Sequence, residues 1–160
     1  MATKAKEIDL EALAAPFPPE DIEWRVGHSN ADKTSALALA YVTNRAVMER
    51  LDKVCGAANW RNEYEPWRDK GILCGVSIRI ADEWVTKYDG ADSTAIEATK
   101  GGFSGSMKRA VVQWGVGRYL YKLENIWCKA RPTKNGKSCV LAETPTLPRW
   151  ALPDDYEGDG

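Results

Sequence analysis

Histidine is almost missing from this 160-residue chain: His28 is the only one. Its four cysteines, Cys55, Cys74, Cys128 and Cys139, lie far apart and form no Cys-x-x-Cys pair. One histidine and scattered thiols argue against a structural zinc site, which needs close ligand pairs. The same scatter argues against a disulfide framework, so the thiols read as small packed hydrophobes in a reducing cytosol. No apolar run approaches the ~20 residues that span a bilayer. The N-terminus, MATKAKEIDLEALAAP, lacks the apolar core of a signal peptide. No Gly-x-x-x-x-Gly-Lys-Ser/Thr loop occurs: Gly101–Lys108 has no glycine directly before the lysine, which disfavours an ATPase. Repeats and low-complexity runs are absent as well.

What is present is a hydrophobic content of 44%, enough for one folded domain with a real core. The net charge of −1 hides a segregation. Between Ala98 and Cys139 stand nine basic residues (Lys100, Lys108, Arg109, Arg118, Lys122, Lys129, Arg131, Lys134 and Lys137) against Glu124 alone, a net +8. The remainder holds 13 basic and 22 acidic residues, a net −9. A face basic in one region and acidic elsewhere suits a polyanion bound along one side. The plain alternative is a solvated helix and loop.

The pattern predicts an α+β protomer. A short helix at 8–14 is stopped by Pro16, and IEWRVGHS (22–29) begins strand-like and ends as a loop around His28. Helical spacing of Leu37, Tyr41, Met48, Leu51 and Cys55 predicts a helix from Ser35 to Cys55, with Thr34 or Ser35 as N-cap and Gly56 just past its end. Three strands follow, at 59–67, 72–81 and 83–90, joined by turns at Asp69-Lys70-Gly71 and near Asp82. Ile72, Cys74, Val76, Ile78 and Ile80 share one face of the middle strand, opposite Leu73, Gly75, Ser77 and Arg79. The expected architecture is thus a three-stranded antiparallel meander covered by a long helix, about 94–121, and preceded by a second helix.

That long helix has an apolar stripe of Phe103, Met107, Ala110, Val111, Trp114 and Tyr121. A second stripe runs Glu97, Gly101, Ser104 and Gly105 to Lys108, with small residues leading up to the lysine. Small residues admit either a packed protein element or a phosphate backbone, and Lys108-Arg109 would suit the latter. Gly115 and Gly117 are expected to bend the helix end near Arg118. After Glu124 the chain reads as a basic loop, KARPTKNGKS, and then a Pro-rich, acidic tail that either docks or stays free. The domain reading is an N-terminal segment (1–21), a core (22–128), and the basic loop with the tail (129–160).

These stretches resemble the Rad52-type single-strand annealing proteins. YVTNRAVMERLDKVCGAANWRNEY is similar to the start of that family's domain, GILCGVSIRI to its central strand, GSMKRAVVQWG to its Gly-x-x-Lys-Arg-Ala helix, and IEWRV to its short Ile-x-x-Arg segment. Together they cover about 22–121, and the length is that of the compact phage or prophage branch. The resemblance implies a homo-oligomeric ring that binds single-stranded DNA on its outside and anneals complementary strands in recombination and repair, in the cytoplasm of a bacterium or phage-infected cell. It implies no ATP, cofactor or metal, and no enzymatic activity. It places Lys108 and Arg109 on the family's basic pair in the DNA groove, and Arg25 on an arginine of the same groove. Lys100 and Lys70 fall near further basic positions, Lys70 one residue off, and Arg118 joins them by its place at the helix end. Host single-strand binding protein is a candidate partner.

Rival readings of the same residues are a DNA-end-protecting or general single-strand binder that does not anneal, and an oligomeric scaffold for an acidic protein partner. Asp89, Asp92, Glu97 and Lys100 faintly suggest a nuclease but lack strong metal-ligand spacing. Most of the seven tryptophans read as core or interface residues, with at most one stacking on a base.

Overall fold

The computed structural model describes residues 7–92 and 98–158, without the side chains of 92 and 98–101. Glu97 and the Lys100 side chain therefore lie outside the described residues. Its strands are β1 (Ile22–Ser29), β2 (Ser35–Val42), β3 (Trp60–Trp67), β4 (Gly71–Ile80), β5 (Glu83–Asp92), β6 (Ile126–Pro132) and β7 (Cys139–Leu141). Two α-helices accompany them, α1 (Asn44–Cys55) and α2 (Ala98–Gln113). The chain divides into two compact units: Met1–Ala15 with Asn44–Arg118, and Pro16–Thr43 with Tyr119–Gly160.

The first unit holds the antiparallel sheet β3-β4-β5. Period-2 alternation buries Cys74, Val76 and Ile78 completely, as their spacing predicts. Helix α2 lies against β4 and β5 and buries Met107, Ala110, Val111 and Trp114. Burying each of the larger side chains stabilises the unit by about 1.5–3 kcal/mol. The Trp114 indole N–H donates to the Val76 carbonyl at 2.9 Å, so the ring is buried with its polar atom satisfied. The β3–β4 turn spans Arg68–Lys70, and Gly71 is the first residue of β4 rather than a turn residue. A Cβ at Gly71 would stand 2.7 Å from the Trp67 carbonyl oxygen, so only glycine fits there. Ahead of the sheet, a 3-10 turn at Leu10–Ala14 buries Leu13, and Arg50 of α1 donates to the carbonyls of Leu13 (3.1 Å) and Ala15 (2.7 Å).

The helix expected over 94–121 stops at Gln113. Gly115, at φ +100°, donates its N–H to the Val112 carbonyl, and Val116 donates to the Val111 carbonyl. Those two bonds form the Schellman closure, with buried Val111 and Val116 in its apolar contact positions. Gly115 therefore terminates the helix instead of bending it, and Gly117 follows it at φ +75°. Arg118–Lys122 is a separate 3-10 turn, and Tyr121, 71% exposed, is not on the buried stripe.

The second unit is a four-stranded sheet in the order β1-β2-β6-β7, which the sequence reading did not foresee. The helix expected from Ser35 begins only at Asn44; Ser35–Val42 is β2, so Thr34 and Ser35 cap no helix. Instead Asn30 Oδ1 accepts from the Thr34 and Ser35 N–H groups in the β1–β2 turn. Alanine and leucine favour helix, but pairing with β1 on one side and β6 on the other overrides that local preference. Lys129–Pro132, the first residues of the stretch read as a basic loop, belong to β6. Ala36, Ala38, Cys128, Ala130 and Cys139 form the buried face. In the tail, Leu147, Ala151 and Leu152 are buried while Trp150 is half exposed.

Candidate nucleic-acid interface

The last half of α2 runs back along β5, so side chains meet in an ordered ladder. Gly105 faces Ala91, Arg109 faces Asp89, and Gln113 reaches the Tyr88 carbonyl. The small stripe thus packs on the protein's own strand: a Cβ at Gly105 would lie 3.5 Å from the Ala91 Cβ. Beyond it come the cations. Arg109 is exposed, with its Nε 3.3 Å from Asp89 Oδ1. Lys108 beside it is half-buried. An exposed ion pair of this kind is worth ~1 kcal/mol or less and is screened by salt, so a phosphate can displace the carboxylate. Asp89 is held in place from below by the Gly90 N–H, which donates to Oδ1 at 2.7 Å.

The C-terminal end of α2 adjoins the same region. A helix C-terminus carries about half a negative charge, which would repel a phosphate. Two cations offset it. Arg118 donates to the Val112 (3.0 Å) and Gln113 (2.9 Å) carbonyls, and Lys87 Nζ donates to the Gln113 carbonyl at 3.2 Å while lying 4.6 Å from the Trp114 ring centre. Arg118 therefore has a capping task in addition to its exposed charge.

The structure brings Lys108, Arg109 and Arg118 onto one stretch of one unit. Lys70 stands apart from them, exposed in the β3–β4 turn. Gly71 after it pairs with Asp92, at the end of the sheet where β5 finishes, whereas Arg109 sits opposite Asp89. Lys100 belongs to the first turn of α2.

Arg25 lies in the second unit, on the solvent face of β1. Its guanidinium is 5.4 Å from the Tyr41 ring centre, and Nη2 is 3.6 Å from Glu23 Oε2. Tyr41 is 38% exposed on β2, one strand over. Sequence reasoning assigned Tyr41 to a helix stripe and so missed this pairing. Asp89 as the partner of Arg109, and Gln113 as a second donor to Asp89, were missed as well, because only strand register brings them together. Among the described residues, no group of three or more His, Cys, Asp and Glu side chains could hold a metal ion, and no helix is long and apolar enough to cross a membrane.

Residues 6–137 match the Rad52/22 family of double-strand break repair proteins. A protein of Deinococcus radiodurans named single-stranded DNA-binding protein DdrA is 37% identical over 155 residues, covering 92% of this chain and 69% of that one. The DdrA of Deinococcus deserti is 34% identical over 155 residues, with 92% and 72% covered. The chain belongs to the Rad52/22 family.

Proposed function

We propose that this Rad52/22 family chain binds single-stranded DNA and anneals complementary strands in recombination and double-strand break repair, without ATP or a metal. The observation that carries the reading is the family match over residues 6–137, which spans both the Arg25 strand and the Lys108-Arg109 helix. The names of the two Deinococcus relatives support the DNA-binding half. Annealing asks for little chemistry. Two strands repel through their phosphates; cations on a protein lower that repulsion and release counterions. Contacts confined to phosphate and sugar carry no sequence information and leave base edges free, so a second strand can sample registers until Watson–Crick pairing selects one.

In this reading Lys108, Arg109 and Arg25 hold phosphates. Arg118 holds the end of α2 electrically neutral and adds charge beside them. Lys70 and Lys100 are outlying contacts. The protomer acts in a homo-oligomer, as a ring: the β3 and β5 edges of the meander are open to strand pairing, and an array turns a weak grip per subunit into a tight one. Light scattering at micromolar protein is expected to give several times the 17.8 kDa chain mass, and a monomer would refute the array. Burial of Leu147, Ala151 and Leu152 favours docking of the tail over its use as a handle for host single-strand binding protein.

Annealing of complementary fluorescent oligonucleotides, measured beside plain binding, tests the function. Acceleration of annealing over the spontaneous rate is expected. Binding without acceleration would favour the second reading, a single-strand binder that does not anneal. No salt-dependent DNA binding at all would leave the scaffold for an acidic protein.

A further inference from the structure

The solvent face of the second unit's sheet mixes a large exposed aromatic ring with cations. Alternation along β6 points Trp127, Lys129 and Arg131 outward while Cys128 and Ala130 are buried. Register places Leu37 opposite Trp127, Ser35 opposite Lys129 and Val140 opposite Arg131. Trp127 is 55% exposed, a large apolar surface to leave in water. Among the described residues, neither Lys129 nor Arg131 forms an ion pair. Arg25 shares this face two strands away, with Glu23 beside it, and the Glu143 carboxylate accepts the Lys129 backbone N–H at 3.1 Å.

We infer that β6 is a second contact for single-stranded nucleic acid, in which a base stacks on Trp127 and the following phosphates meet Lys129 and Arg131. This rests on the single-stranded DNA reading and adds to it a contact with a base, which phosphate grip alone does not supply. Side chains two residues apart on a strand are about 7 Å apart, a spacing that suits successive phosphates of an extended strand. An exposed aromatic ring between cations takes any base, because every base has a π-face. Three cations, Arg25, Lys129 and Arg131, outnumber the two carboxylates beside them, Glu23 and Glu143, which suits a polyanion.

The test is fluorescence anisotropy with labelled oligo-dT and with an abasic oligonucleotide of equal length. Trp127→Ala is expected to weaken oligo-dT binding about tenfold, the scale of one lost stacked base, and to leave abasic binding unchanged. Trp127→Phe should restore most of the loss. Lys129→Ala and Arg131→Ala should weaken both oligonucleotides alike and each lower the salt slope by about 0.7. Unchanged oligo-dT binding by Trp127→Ala, or an equal loss on the abasic strand, overturns the inference. So does a drop in oligomer mass for Trp127→Ala without a base-dependent loss, which would make the face a contact between copies. If wild-type protein binds neither oligonucleotide, the single-stranded DNA reading itself fails; if it binds and only Lys108 and Arg109 variants lose affinity, that reading stands and β6 is not part of the site.

Discussion

Asp89 decides how free Arg109 is. Its carboxylate takes the Arg109 Nε–H, the Gln113 amide and the Gly90 N–H. Phosphate binding has to displace the first of these. Asp89→Asn keeps an acceptor for Gly90 and removes the competing charge. Single-stranded DNA affinity at low salt is expected to rise severalfold, consistent with an exposed pair worth under about 1 kcal/mol; equal or weaker binding would mean that the pair does not compete with phosphate. The cysteines, by contrast, are passive. Burial pushes the Cys55 and Cys74 thiols up to about 11 from an ordinary 9.0. A raised folded value means stability fully present below pH 9 and lost as the pH climbs toward 11, since the unfolded chain gives up its protons first. Folded protein at pH 8 should therefore resist alkylation at both thiols, and urea melts should show a falling midpoint between pH 9 and 11. Rapid modification of Cys74 at pH 8 would contradict its burial.

The elements of the meander were readable because period 2 and turn residues agreed. Ile72–Ile80 alternates in sequence, and Cys74, Val76 and Ile78 are buried as that alternation requires, while Ile72 and Ile80 at the ends are half-buried and Gly75 and Ser77 on the other face are buried as well. The SALALAYV strand was not readable, since its alanines and leucines carry helix propensity and one of its two partners, β6, lies more than 80 residues away in sequence. Trp127-x-Lys129-x-Arg131 was hidden by the turn signals that follow it at Pro132 and Asn135-Gly136. The glycines of α2 were legible as exceptional but not as to cause, which depends on where the helix stops and what faces it. Gly115 sits at φ +100°, with a prospective Cβ 3.4 Å from the Ala14 Cβ. Gly115→Ala should destabilise the protein by about 1 kcal/mol or more through the left-handed backbone alone. Gly105→Ala, inside the helix and in ordinary contact distance of Ala91, should stabilise it by up to about 1 kcal/mol. Thermal melts of the two variants are expected to move in opposite directions, and a common direction would refute the helix-end assignment.

For the whole molecule, charge segregation was legible at once, and its consequence is a salt-sensitive grip on a polyanion. The acidic end of the chain opposes it. Arg149 holds that end by donating to the Asp154 and Tyr156 carbonyls, which leaves the Asp154, Asp155 and Glu157 side chains in solvent. Removing residues 154–160 should tighten DNA binding modestly at low salt and make little difference at high salt, where exposed charges are screened. Weaker binding of the truncated chain at low salt would contradict competition by the tail. The most direct measurement is the salt dependence of single-stranded DNA affinity for wild-type protein and for Lys108→Ala with Arg109→Ala. Phosphate contact through α2 predicts weaker binding by the double variant and a log–log slope lower by about 0.7 for each lost contact, with the fold and oligomer mass unchanged. An unchanged affinity and slope would contradict it.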